Sequence, residues 1–439
     1  RESLEIRKHL KDKDGQARVL LNLGVLFLVS GKPKEADESL RESLKVAEEI
    51  GNIEYRAKAN INIGILHSYK GELDKALRRY KEALDDFREI GSIPYVNTAL
   101  ANIAEIYELR AELSPCEDNY NEALKGAIEI GDLYTEAYIQ IKLGRINLWR
   151  GKLTTALKQF NEGREIAEKI GVSDLRFDAL GFLARVNLRI GDIDKAEEFL
   201  LLIEMKEISN YEIKGRYLIT KSLIEEAKGN LEEALRIGMD LVSLGEETET
   251  PGIVLDGYGI MLRLGILPNE EMDRIITEAR GIIDENVFIV RNLWIVISLG
   301  EYYLKIGEID RAILSVRYAA EKSKEHNLAL ISLEANILKG RIAENKGDEE
   351  DVLSSYEEAV DALFRISLSF DEEEKGKYFQ RHSNLLTSLL ELYYLRKNQP
   401  LILSLLKKLP PDIQKEILER IIDKDPSFME EIIETLEDM

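Results

Sequence analysis

Apolar residues recur at i, i+3, i+4 and i+7 along most of the chain, and a glycine stop interrupts them about every 20 residues. One glycine series is Gly31, Gly71, Gly151, Gly191, Gly229, Gly307 and Gly347, and each member is followed five residues later by Ala36, Ala76, Ala156, Ala196, Ala234, Ala312 or Val352. The clean copies lie 40 residues apart, and Ala111 and Cys116 fill the two slots where a copy is due after Gly71. A second series, Gly51, Gly91, Gly131 and Gly171, runs out of phase with the first, each glycine after an Ile. Two stops per period predict two antiparallel helices per repeat. The first stop makes the tight turn within a pair and the second joins one pair to the next.

Small and large residues alternate at fixed places within the pair. Gly64 is followed by Ala76, Tyr80 and Ala83; Gly144 by Ala156 and Phe160; Ala104 by Cys116, Tyr120 and Ala123. This resembles the tetratricopeptide consensus, in which small residues sit at the helix crossing and large ones fill between them. The resemblance implies an all-α fold: a right-handed α-solenoid of antiparallel helix pairs over residues 1–367. Cys116 then reads as a packing residue, because other copies carry Ala or Val in its slot. The copy at 250–290 is degenerate, with Pro251, Gly252, Gly257, Gly259, Gly265 and Pro268, and predicts a short or bent first helix. Arg1-Glu2-Ser3-Leu4 returns as Arg41-Glu42-Ser43-Leu44, so the chain opens in mid-repeat and is expected to have been preceded by further sequence.

The run Ser3 to Lys8, with Asp14-Gly15-Gln16-Ala17-Arg18 and Leu21-Asn22-Leu23-Gly24, is similar to the 40-residue repeats of one regulator class. These are the C-terminal arms of signal-transduction (STAND-type) ATPases, including the bacterial maltose-operon activator. Similar repeats occur in kinesin light chains, which usually carry His-Pro where Asp14-Gly15 stand here. Leu363 to Ser367, followed by Tyr378-Phe379-Gln380-Arg381 and Leu385-Leu386, resembles the segment that closes many such arms.

Beyond residue 368 the period is lost. Asp371 to Glu374 opens a predicted helix reaching about Lys397, and Pro400, Pro410, Pro411 and Pro426 punctuate short helices after it. Residues 410–439 hold ten acidic and three basic residues, a net of -7. Residues 368–439 therefore read either as a solvated helical cap or as a docking or autoinhibitory tail.

Composition removes several function classes. With 82 acidic against 60 basic residues the net charge is -22, so nucleic acid and anionic membranes are repelled as generic partners. One cysteine and four scattered histidines supply neither a disulfide framework nor a multi-cysteine metal site. The most apolar stretches, Val19–Val29 and Val287–Gly300, are too short to span a bilayer, and no signal peptide opens the chain. A cytoplasmic protein is expected, and the abundance of Glu, Lys and Arg with one Cys resembles thermophile composition. No phosphate-binding loop, Gly-x-Ser-x-Gly or His-Glu-x-x-His motif occurs, so neither catalysis nor a cofactor is expected, and a nucleotide-binding domain would have to lie upstream.

In tetratricopeptide superhelices the first helix of each pair lines the concave face. Carried over by position, that resemblance makes Tyr138, Arg145, Trp149, Arg185 and Arg189 groove residues. Arginine suits bidentate recognition of carboxylate or phosphate, and Trp adds a flat apolar anchor. Asn22, Asn62 and Asn102 recur at one-repeat intervals, as amides do in kinesin light chains where they hold a peptide backbone, and Asn62 and Asn102 join the groove set. Two alternatives stand beside this: Glu105 and Asp178 neutralise the arginines in inter-repeat ion pairs, and the asparagines bridge neighbouring repeats. The resulting expectation is a non-enzymatic scaffold binding a protein or peptide of acidic or phosphorylated character. The alternative is the sensor arm of a larger signal-transduction ATPase or transcription regulator that binds an inducer or partner.

Overall fold

The computed structural model describes residues 2–285, 289–396 and 398–424. Among these are twenty-three α-helices and one 3-10 turn, with no strand. The chain forms two compact units. The first runs to Leu143 and the second starts at Gly144, within the helix Leu133–Trp149.

Unit 1 is regular. Its helix pairs, such as Lys13–Val29 with Pro33–Ile50 and Ile53–Tyr69 with Leu73–Glu89, follow the predicted stops. Asp12 and Asn52 cap two first helices by accepting from the N–H groups of Gly15 and Tyr55, satisfying donors that the helix itself leaves free. Gly51 and Gly131 end second helices in the left-handed region. Ala111, which replaces a turn glycine, is held at φ +53, so the turn persists although the residue no longer favours it. The small residue at the crossing is a requirement of close approach: a Cβ on Gly64 would lie 2.5 Å from the Tyr80 ring. Cys116 is buried and its thiol donates to the Ala104 carbonyl at 3.2 Å, in agreement with its packing slot.

Unit 2 repeats the same crossing, with Gly144 against Phe160 and Gly340 against Tyr356. It departs from regularity in three places. The helix after Gly191 stops at Leu201 and gives way to a 3-10 turn, Met205–Glu207. The regular pattern predicted a full helix here; no glycine stop follows, and Ile203 and Ile208 are instead buried against Phe177, Leu200 and Ile213. The degenerate copy gives a short first helix, Pro251–Leu264, as its prolines and glycines predicted. The predicted helix from Asp371 toward Lys397 is two helices, Glu372–Arg381 and Ser383–Leu395. Asp371 starts the former with a reciprocal capping box, and the His382 N–H reaches back to Phe379, tightening the last turn to a stop. Tyr378, Phe379, Leu386 and Leu389 are all buried, so this stretch packs into unit 2. Residues 425–439, the most acidic part of the predicted tail, lie outside the described residues.

Unit 2 also closes on itself. Lys377 bridges to Asp192 at 2.6 Å, Arg381 donates to the Leu188 carbonyl, and Thr154 meets Ser369 through their hydroxyls at 2.9 Å. Gly191 sits at φ +106 directly beneath the Lys377 carbonyl, where a Cβ would approach to 2.7 Å. No helix among the described residues is long and apolar enough to cross a membrane.

Candidate functional site

The predicted groove residues fall on both units. In unit 1, Tyr138 donates to the Glu105 carboxylate, which also pairs with Lys142 at 2.9 Å. Burial alone would lower the Lys142 ammonium, but Glu105 and Tyr138 outweigh it and hold it above its ordinary range. Burial and Glu105 push the Tyr138 phenol up. Glu105 therefore neutralises Lys142. Asn62 spends an amide donor on the Lys58 carbonyl of its own helix at 2.8 Å. Asn102 is half-buried on the helix Ile93–Leu109.

At the repeat positions that carry Arg185 and Arg189 in unit 2, the first two helix pairs of unit 1 present apolar side chains, and its third pair presents Glu105. Val25, Val29 and Tyr69 stand exposed, Val29 at 84% and Tyr69 at 79%, with Ile65 half-buried between them.

In unit 2 those positions include Arg145, Trp149, Arg185 and Arg189. Arg145 stacks over Trp149, 5.5 Å from the ring centre. Arg189 is clamped between the Trp294 face at 4.7 Å and the Glu334 carboxylate at 2.6 Å. Around them runs a ladder in which a carboxylate of one first helix meets a guanidinium of the next: Asp178 with Arg216 at 2.9 Å, Glu226 with Arg263 at 2.7 Å, Asp256 with Arg291 at 3.2 Å and Glu301 with Arg341 at 3.8 Å. Glu212 joins two rungs, accepting from Arg291 at 3.2 Å and lying 3.8 Å from Arg216. Burial raises the Glu301 carboxyl to about 7, Arg263 opposing and Glu334 reinforcing the shift.

Arg185 stands apart. Among the described residues it makes no hydrogen bond and has no carboxylate within ion-pair distance; its guanidinium lies 5.9 Å from the Phe182 ring centre. The neighbouring Asp178, expected as its neutralising partner, is committed to Arg216. Burial first and then Arg189 push the Arg185 pKa down to about 10, so the group remains charged at neutral pH while its charge is only distantly compensated. It is half-buried and keeps solvent access. The residues that sequence reasoning missed, Arg216, Arg263, Arg291, Trp294 and Glu334, carry a signal of their own: several lie close to one repeat length from an opposite charge on the preceding first helix.

The described residues hold no cluster of ligands able to bind a metal ion. Chemically the arrangement offers one uncompensated guanidinium with an aromatic wall, set in a paired polar lining. It is suited to accept an anion.

Residues 24–211 match the family model described as the MalT-like TPR region. No curated protein matches the chain. Among solved structures, the Rap protein complexed with competence and sporulation factor superposes with a TM-score of 0.56 at 10% identity, covering 80% of this chain and 98% of that one. A Signal Transduction ATPase with Numerous Domains, a Pyrococcus horikoshii protein with a tetratricopeptide repeat sensor, aligns at 15% identity and a TM-score of 0.43. That alignment covers 93% of this chain and 64% of the other. The chain is an all-α helical-repeat protein whose residues 24–211 resemble the MalT-like tetratricopeptide region.

Proposed function

We propose that this protein is a non-enzymatic binding module and that unit 2 takes an acidic segment of a protein or peptide, read by Arg185. The single observation behind this is the unequal state of the arginines: Arg189, Arg216, Arg263 and Arg291 each hold a carboxylate, whereas Arg185 holds none among the described residues. A carboxylate or phosphate from a ligand would supply the missing charge-assisted bonds, and the Phe182 ring offers a flat surface beside Arg185. The Rap protein, of like fold, was crystallised with a factor bound, which supports a ligand-binding reading here.

The test is fluorescence anisotropy with a labelled Glu-rich peptide and its Lys-rich counterpart. The wild-type chain binds the acidic peptide, and Arg185→Gln weakens it at least tenfold without lowering the melting temperature, because the substitution removes a poorly compensated charge. Equal affinity of wild type and variant overturns the proposal.

The match of residues 24–211 to the MalT-like region favours a second reading, in which the module is the sensor arm of a larger signal-transduction ATPase. The reading frame upstream of Arg1 decides it: without a phosphate-binding loop there, that reading fails.

A further inference from the structure

Unit 2 carries a second concavity, separate from the arginine ladder, at the junction of the helices Glu349–Ser367 and Glu372–Arg381 with the turn entering Pro411–Lys424. Its volume is about 800 Å³, within the roughly 300–1,000 Å³ of small-molecule sites. The floor is apolar: Phe364 and Phe379 form a tilted ring pair 5.3 Å apart, with Leu409 beside them. Leu368, on the wall, is 80% exposed.

The charges at this cleft are unevenly answered. Lys375 is paired with Glu372 at 2.9 Å. Arg365 spends its Nε on the Asp361 backbone carbonyl at 3.3 Å and, among the described residues, has no carboxylate within ion-pair distance. Lys408 stands over the Phe364 ring at 5.5 Å and likewise lacks a carboxylate partner among the described residues. Asp361 alone remains to balance these two cations within the lining, so the cleft is locally positive in a chain of net charge -22.

We infer that this cleft binds a small organic anion with an apolar body, the acid group between Arg365 and Lys408 and the body on Phe364, Phe379, Leu368 and Leu409. The two halves of the ligand follow from the two halves of the site. Covering an exposed leucine and an aromatic floor rewards apolar area, at about 25 cal/mol per Å². Two cations already drawn to the rim favour one negative charge and penalise a positive one. An uncharged hydrocarbon would leave both cations partly desolvated and unpaired. The site shares no residue with the ladder around Arg185, so either can fail without the other.

The test uses the full chain and decanoate, held below its micelle concentration, in isothermal titration calorimetry. Decanoate is expected to bind at one site per chain, with decanol and decyltrimethylammonium at least tenfold weaker. Arg365→Gln with Lys408→Gln, both exposed positions, should weaken decanoate at least tenfold while the far-ultraviolet circular dichroism stays unchanged. As a readout that needs no variant, decanoate should shift the methyl resonances of Leu368 and Leu409 and leave those of Leu20 and Leu40 in place. Co-sedimentation with phosphatidylglycerol vesicles separates a free amphiphile from a lipid surface, and no capture is expected. Equal binding of decanoate and decanol, retention of affinity in the double variant, or capture by vesicles without binding of monomeric decanoate would each overturn the inference.

Discussion

The two units use one backbone plan and different surface chemistry at the same repeat positions. The first two helix pairs of unit 1 show Val25, Val29 and Tyr69 to solvent where unit 2 carries Arg185 and Arg189, while the third pair of unit 1 places Glu105 there, held by Lys142. The crossings beneath are alike: Gly64 meets Tyr80 in unit 1 as Gly144 meets Phe160 and Gly340 meets Tyr356 in unit 2. The difference teaches that the repeat specifies packing between helices and leaves the first-helix face open to vary. Apolar groups there need no partners to be tolerated. Charged ones in a half-buried setting do, because an ion removed from water must recover its solvation from a neighbour. Unit 2 accordingly carries a ladder of partners, and it is there that an arginine short of one becomes informative.

The shared plan is tested hardest at the crossings. Gly64→Val in unit 1 and Gly340→Val in unit 2 should each destabilise by about 3 kcal/mol through overpacking against Tyr80 and Tyr356, read as the loss in a denaturant titration. A loss in one variant only would break the equivalence of the two units.

The polar ladder is the next difference to probe. Asp178→Asn leaves Arg216 with only the more distant Glu212, and about 2 kcal/mol should be lost, less than for a fully buried pair because both groups keep some solvent. The comparable change in unit 1, Asp37→Asn, removes an exposed pair with Arg41 and should cost under about 0.5 kcal/mol. Double-mutant cycles on both pairs measure the contrast.

Acid and base should act on the units in opposite senses. Glu301 in unit 2 has its carboxyl raised to about 7, so the folded chain keeps a proton that the unfolded chain gives up near 4.5. Its contribution is present below 4.5 and fades as pH rises through 7. Glu72 in unit 1 is lowered to about 2 by Lys75 and His67, so its contribution is present above 4.5 and fades as pH falls toward 2. In thermal melts, Glu301→Gln should raise stability at pH 8 relative to wild type and not at pH 4. Glu72→Gln should lower it at pH 7 and not at pH 2. Reversal of either sign would show that the local charges have been misassigned.

The smallest effect concerns the exposed apolar positions. Val29→Ser with Tyr69→Ser in unit 1 should move stability by less than about 0.5 kcal/mol, since neither side chain is packed. A larger loss in calorimetry would mean that this face is not free surface.

Much of the fold was legible because its signals are local. A glycine at φ near +70, an alanine or glycine at a crossing, a small residue twelve residues later and an aromatic sixteen residues later all act within one helix pair, so Gly64 with Tyr80, or Ala104 with Cys116, could be matched by spacing alone. Even the breakdowns at Pro251 and Ala111 were visible as departures from the period. The short helix Ile193–Leu201 was not, because its turn glycine and Ala196 fit the pattern and only the burial of Ile203 and Ile208 redirects the chain.

The candidate site was legible in residue type and not in pairing. The period placed Arg185 and Arg189 on first helices, but Asp178 went to Arg216, Glu105 to Lys142, and Arg189 to Glu334, far along the chain. The sequence by itself determined the helix pairs, their crossings and the face on which the charges stand, since those depend on contacts within about one repeat. Only the tertiary structure decided which charge meets which, where unit 2 returns from Lys377 to Asp192, and that Arg185 is left over. Those outcomes sum small rotations over many repeats, and no short window of residues contains that sum.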